Sequence, residues 1–339
     1  MKTLVLLVAL FALLLAPAAR AWNRIGHMAV AAIAFDHLTE AEQDKLGALL
    51  GHLENNDRML TGLGTSVEDP RTLVMAASTW TDLVKSDTQR YFHNGYNEPG
   101  PLAAISVSAG KRADGKLPMH KGWHFIDTPY HIDTHADGPP LDDHVVNIVQ
   151  VLTVLDRQLK QPQPADDAER AYEIAWLLHL VGDLHQPLHC AQGFDDQNPT
   201  GDVGGNNIIT EDPVTHEKEL HAFWDDLLGK DTASKKGRLR LDLDAVKASE
   251  VVATLGHPRL PAHALEIDFG AWAASTHKHA VEDAYGELTI DVVPLQHSDK
   301  TVDSATIDDD YRAMATRLAR KQVYLAGRRL AALLKTYLK

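Results

Sequence analysis

The side chains with the most chemistry to offer come in two pairs. His179 and Asp183 lie four apart in His179-Leu180-Val181-Gly182-Asp183-Leu184-His185-Gln186-Pro187-Leu188-His189, and His221 and Asp225 lie four apart in His221-Ala222-Phe223-Trp224-Asp225. Residues at i and i+4 of a helix share a face, so each pair can grip one ion. Their neighbours are mostly apolar. Burying an imidazole or carboxylate there costs several kcal/mol unless it is paired, hydrogen-bonded or bound to a metal. Imidazole and carboxylate donors without thiolates suit Zn²⁺ in a catalytic rather than a structural site. His27, Asp82 in Trp80-Thr81-Asp82, His124 in Trp123-His124-Phe125-Ile126-Asp127, and His189 are further candidates. Taken singly, each also fits a capping or hydrogen-bonding role; taken together they suggest a metal cage.

The elements that must position these groups are helical. Thr39-Glu40-Ala41-Glu42 has the form of a capping box opening a helix that carries Leu46, Leu49, Leu50 and Leu53. The patterning predicts further helices over residues 73–85, 142–159 and 167–185, the last ended by Pro187. In that helix Ile174, Leu177, Leu178 and Val181 form one apolar stripe, and Tyr172 and Trp176 share the opposite side with His179 and Asp183. Helices are also expected over 219–228 and 309–337. Residues 95–140, rich in Gly, Pro and His, read as loops with room for short strands, and 193–207 as a Gly/Asn/Asp-rich loop. With no repeat and no dividing linker, an all-α, single mainly helical domain over residues 22–339 is the expected architecture.

Residues 1–21 have the form of a secretory signal peptide: Lys2, an apolar run from Leu4 to Leu15, then Ala19-Arg20-Ala21. The run is too short for a transmembrane helix. Cleavage after Ala21 would give Trp22 a free amine, which can chelate a metal together with its own carbonyl oxygen; packing of the indole is the plainer role. The expected location is periplasmic or secreted, with no membrane span in the cleaved chain. Composition is ordinary for a globular protein, at 44% hydrophobic and 24% charged residues. The formal net charge of −14 excludes a module that holds nucleic acid through a basic surface. A polyanion can still bind where dications supply positive charge locally. The single cysteine, Cys190, permits no internal disulfide, and Pro199 disables Asn198-Pro199-Thr200 as a glycan acceptor, which together favour a bacterial export route.

Taken together, these motifs resemble the type I nucleases, the tri-zinc, single-strand-preferring enzymes that share a helical fold with zinc-dependent phospholipase C. The similarity runs from Trp22-Asn23-Arg24-Ile25-Gly26-His27 through Ser78-Thr79-Trp80-Thr81-Asp82, the 123–127 and 179–189 motifs, Gly204-Gly205-Asn206-Asn207 and residues 220–225 to the segment 322–331. The resemblance implies three zinc ions. Asp82, His124, His179 and a bridging Asp183 would hold one; the Trp22 amine and carbonyl, His27 and Asp183 a second; His189, His221 and Asp225 the third. The implied chemistry is in-line hydrolysis of phosphodiesters in single-stranded DNA and RNA by a metal-activated water, leaving 5′-phosphate and 3′-hydroxyl ends, with 3′-nucleotides as further substrates and a monomer as the acting form. Asp82 would orient or deprotonate the water, and Lys85 would reach a phosphate oxygen, although a solvated helix-face lysine fits equally. Asn206 would contact phosphate, in a loop longer than the family pattern. Phe125 would stack a base and Asp127 hydrogen-bond its edge, which favours unpaired strands.

Zinc-dependent phospholipase C is the nearest alternative, built on the same ligands; Asp225 and the 123–127 and 204–207 motifs weigh against it. A zinc-storage protein would carry exposed low-complexity His/Asp runs instead. His185 is set aside because Pro187 separates it from the helical face of His189. His131, His135, His277 and His279 are expected to be loop histidines on the surface, and Cys190 a buried thiol.

Overall fold

A computed structural model describes residues 22–53, 56–64, 69–84, 120–138, 146–161, 166–211, 219–256, 258–295 and 300–339. The leader expected over 1–21 and Lys85 lie outside the described residues. The helices are α1 (Arg24–Asp36), α2 (Glu40–Leu50), α3 (Asp57–Leu63), α4 (Pro70–Ala77), α5 (Trp80–Val84), α6 (Ile148–Leu159), α7 (Asp167–Asp183), α8 (Leu220–Asp225), α9 (Leu241–Thr254), α10 (Phe269–His279) and α11 (Asp309–Tyr337). Two three-stranded sheets accompany them. One has the order β2-β1-β3, from β1 (Pro129–His131), β2 (Ala136–Asp137) and β3 (Gln192–Phe194), with β1 and β3 parallel. The other has the order β4-β6-β5, from β4 (Ile209–Glu211), β5 (Ile290–Pro294) and β6 (Thr301–Thr306). The fold is mainly helical, as expected, with the second sheet unanticipated. Its strands are short, and β6 buries Asp303, Ser304 and Ala305 in succession, so they lack the strong alternating pattern that marks a longer strand.

The main core is built around two helices that are buried on every side. In α1 every residue from Ile25 to Phe35 is buried, against α11 and α9; in α7 every residue from Ala171 to Asp183 is buried. A helix with no solvated face belongs inside a helical layer rather than on its surface. Local signals set the ends. The capping box at Thr39 and Glu42 forms, and a second at Asn147 and Gln150 starts α6 at Ile148, later than the expected 142. The Asn23 side chain caps α1 through the Ile25 and Gly26 N–H groups. No helix among the described residues is long and apolar enough to cross a membrane.

The single helix expected over 73–85 is broken. Ser78 and Thr79 turn their hydroxyls back onto the Met75 and Ala76 carbonyls at 2.7 and 2.8 Å, which competes with the helix ladder between α4 and α5. A smaller second core gathers Tyr130, Leu188, Phe223, Trp224, Tyr285 and Tyr311 under the short strands and α8. His277 and His279 lie on α10, half-buried, rather than in a loop. Their ring Nδ1 atoms meet the Cys190 carbonyl at 2.9 Å and the Asp283 carboxylate at 2.7 Å. His131 and His135 are exposed, in β1 and the turn after it.

Candidate metal centre

The last two turns of α7 place His179 and Asp183 on one face, with both side chains fully buried. Asp183 is the hub. Its Oδ2 lies 3.3 Å from His179 Nε2 and 2.9 Å from His124 Nδ1, and its Oδ1 lies 3.2 Å from His27 Nε2. His124 arrives from the 3₁₀ turn His120–His124, and His27 from α1. Asp82 on α5 brings Oδ1 to 3.6 Å from His179 Nε2. His27, Asp82 and His179 form one group that could hold an ion, and His124, His179 and Asp183 another. Four ligand atoms held ~2.0–2.1 Å from a tetrahedral zinc lie ~3.3 Å from one another. The spacings here match that figure.

Two further observations favour a cation. The His179 and His27 rings stack at 3.9 Å between centroids, which is unfavourable for two imidazoliums. His27 Nδ1 is buried with no hydrogen-bond partner among the described residues. Gly182 makes room for this ring, because a Cβ there would sit 2.8 Å from His27 Nδ1. Burial, then the charge of His179, hold His27 down at about 4, so its ring is neutral and one nitrogen lone pair is available. Burial opposes ionisation of Asp183, yet the surrounding histidines carry it well below the usual carboxylate range.

The third group is His189, His221 and Asp225, all buried. His189 follows Pro187 in a 3₁₀ turn, while His221 and Asp225 lie on α8. His221 Nε2 is 3.2 Å from His189 Nε2 and 3.6 Å from Asp225 Oδ2. Burial pushes Asp225 well above the carboxylate range, although Gln186 Nε2 donates to its Oδ1 at 2.9 Å. A buried acid of this kind is readily ionised only beside a cation. The two halves of the centre are joined through backbone: His189 Nδ1 donates to the His124 carbonyl at 2.7 Å, and Ile126 N–H to the His189 carbonyl at 2.8 Å.

Three histidines share a device. His179 donates Nδ1–H to the Ser78 carbonyl, His189 to His124 and His221 to Gly204, at 2.7, 2.7 and 2.6 Å. A carbonyl only accepts, so each ring must carry its proton on Nδ1 and turn its Nε2 lone pair into the cluster. The break between α4 and α5 is what frees the Ser78 carbonyl for this purpose.

The remaining candidates surround these groups. Trp22 is buried just before α1, and the next residue, Asn23, donates its N–H to the Asp225 carbonyl at 3.4 Å. Phe125 and Asp127 are half-buried, directly after His124. Burial, with Asp202 nearby, raises Asp127 to about 6. Asn206 follows Gly205, whose carbonyl accepts from His221 N–H at 3.3 Å, and its amide donates to the Val203 carbonyl at 2.7 Å. His185, set aside from the sequence, is buried against Val181 and Arg329, away from the cluster groups. Cys190 is buried, as expected. The roles of Gln186, Ser78, Gly182 and Gly204 were not anticipated, although all four stand inside the quoted motifs.

A profile of the S1/P1 Nuclease family matches residues 22–339. The chain belongs to the S1/P1 nuclease family. It is 24% identical to Endonuclease 4 of Arabidopsis thaliana over 269 residues, covering 70% of this chain and 83% of that protein. Endonuclease 5 of the same plant is 27% identical over 168 residues, 48% of this chain and 49% of that one. Nucleases of this family are metal-dependent, and this nuclease carries His/Asp groups that could bind metal. Its substrates are nucleic acids.

Proposed function

We propose that this nuclease is an exported, zinc-dependent endonuclease that cleaves single-stranded DNA and RNA and also removes phosphate from 3′-nucleotides. The observation that carries the zinc assignment is the convergence of eight buried or half-buried His and Asp side chains, three of them with Nδ1 committed to backbone carbonyls. Asp82, His124, His179 and Asp183 would hold one ion; His27, Asp183 and the Trp22 amine and carbonyl a second; His189, His221 and Asp225 a third. Bound zinc supplies Lewis acidity towards phosphate and makes a water acidic enough to deprotonate near pH 7. Asp183, shared by the first two donor sets, would join them. Asp82, only partly buried, would orient the attacking water and take its proton. Phe125, half-buried, would stack on an unpaired base, while Asp127 accepts from a base edge. Asn206 contacts phosphate, and Lys85, outside the described residues, reaches a phosphate oxygen. The Trp22 ligand requires cleavage after Ala21, which ties the second ion to export through the leader.

The test uses exported protein beginning at Trp22. We expect about three zinc ions per chain by elemental analysis and cleavage of circular single-stranded DNA at least about tenfold faster than duplex, with 5′-phosphate ends, in keeping with the cost of unstacking a duplex. Lecithin hydrolysis without nucleotide release would overturn the assignment, as would full nuclease activity in zinc-free protein. Equal zinc content in a form extended before Trp22 would remove the terminal amine from the centre.

A further inference from the structure

The chain between β3 and β4 is folded around one carboxylate. Asp202 has no exposed surface. Its Oδ1 accepts from Gly193 N–H at 2.8 Å, and its Oδ2 from Gly205 N–H at 2.9 Å and from the Tyr285 hydroxyl at 2.7 Å. Its backbone is tied as well, donating to the Gly193 carbonyl at 2.8 Å and accepting from Asn207 N–H at 3.0 Å. None of these partners belongs to the three His/Asp groups.

What the bonds hold is a shape. Val203, Gly204 and Gly205 take successive φ values of +58°, +61° and +80°. The left-handed region costs an L-residue ~1–2 kcal/mol and is most unfavourable for a β-branched one. Such strain persists only where the surroundings over-determine it. Here the outcome is that the Gly204 carbonyl faces His221 Nδ1 at 2.6 Å. A Cβ on Gly204 would also lie 2.6 Å from the Leu188 carbonyl, so the turn is wedged against the residue before His189. The other two histidines of this type are served differently. Ser78 and His124 present their carbonyls from a helix junction and a 3₁₀ turn, whereas the carbonyl that fixes His221 depends on a side chain.

We propose that Asp202, held by Tyr285, is the positioning residue for the third ion: it fixes the tautomer and orientation of His221 without touching ion or substrate. The proposal rests on the three-zinc reading of the centre. It assigns a role to Tyr285, which stands on the π-helical turn Ala280–Tyr285, far from every ligand in sequence.

The test is made on the zinc-loaded full chain with ¹⁵N-labelled histidine, comparing wild type with Asp202→Asn and Tyr285→Phe. Asn replaces one of the two accepting oxygens with N–H₂, so Gly193 or Gly205 loses its acceptor. Phe removes one hydroxyl only and serves if the Asn variant fails to fold. We expect the His221 Nδ1–H signal to exchange at least about tenfold faster in Asp202→Asn and by an intermediate factor in Tyr285→Phe, with His179 and His189 unchanged. Zinc content after dialysis falls by one ion in Asp202→Asn, and kcat falls about 10–100-fold, the usual effect of losing a ligand's outer partner. KM stays within about twofold. A folded variant with the His221 signal, zinc content and kcat of wild type overturns the proposal, and so does equal loss at all three histidines. The imidazole signal is read without substrate, so a wild type that binds zinc but cleaves no nucleic acid would count against the nuclease reading alone.

Discussion

The two halves of the candidate metal centre are built on different principles. The half around Asp183 takes His179 and Asp183 from α7, His27 from α1 and Asp82 from α5, so most of its ligands stand on helices packed into the main core. The half around His221 uses a six-residue helix, a 3₁₀ turn and a loop of left-handed residues beside the smaller core. Helices give the first half its geometry through their own backbone ladder. The second half borrows its geometry from side chains, Asp202 and Gln186 foremost. A substitution in the first half is therefore expected to act through the ligand it touches, and one in the second through the loop that aims the ligand.

The largest effect is expected at the hub. Asp183→Asn leaves the helix intact but removes the charge that faces three histidines. Phosphodiesterase kcat/KM should fall by about three orders of magnitude, ~4 kcal/mol of transition-state stabilisation, with zinc lost from the paired positions. Turnover within about tenfold of wild type would show that the bridging carboxylate lies elsewhere. The same helix carries a cost unrelated to metal. Glu173, 2% exposed, is raised to about 7 by burial, then by the Glu169 carboxylate, with Arg170 opposing. Below about pH 4.5 the group is protonated in both folded and unfolded chains, and nothing is lost. As pH rises towards 7 the unfolded chain ionises first, so stability falls, reaching a penalty of up to about 3 kcal/mol above pH 7. Glu173→Gln should lift that penalty. Its gain over wild type in urea unfolding is expected to be near zero at pH 4 and largest at pH 8; an equal gain at both values would refute the burial argument.

The difference between the halves also decided what could be read from the sequence. The i, i+4 spacing of His179 and Asp183, and of His221 and Asp225, survives in the structure because a helix fixes it locally. The all-round burial of α7 was legible in Tyr172 and Trp176 opposite the Leu177–Leu178 stripe. The break at Ser78 was not, since a hydroxyl's choice between solvent and its own backbone depends on what packs around it. Asp202 and Tyr285, 83 residues apart, meet only through tertiary structure, and no period connects them. The short strands of β4-β6-β5 escaped for the same reason: their pairing joins residues 209–211 to 304–306, and burial does not alternate along them.

A smaller effect probes the helix-held half at its tightest contact. Gly182→Ala adds a Cβ 2.8 Å from His27 Nδ1, so the ring must move. Helix propensity alone would favour Ala by roughly 1 kcal/mol. The expected result is a folded α7 with weaker zinc retention at the His27 position and activity reduced about 10–100-fold. Loss of the His221 ion instead would mean that the halves are not independent.

The smallest effect tests the loop-held half from the opposite direction, by gaining stability. Val203 is 51% exposed and left-handed, so its side chain returns little burial for its backbone cost. Asn tolerates that region far better, because its short polar side chain can hydrogen-bond locally. Val203→Asn should therefore stabilise the protein by about 1 kcal/mol, a rise in Tm of roughly 1–2 °C for a chain of this size. The Asp202 bonds that hold the turn are untouched, so zinc content and the His221 Nδ1–H signal should stay as in wild type. A fall in Tm would show that Val203 is held by packing rather than strained by the clamp. The loop would then owe its shape to the same kind of contacts as the helices, and the contrast between the halves would disappear.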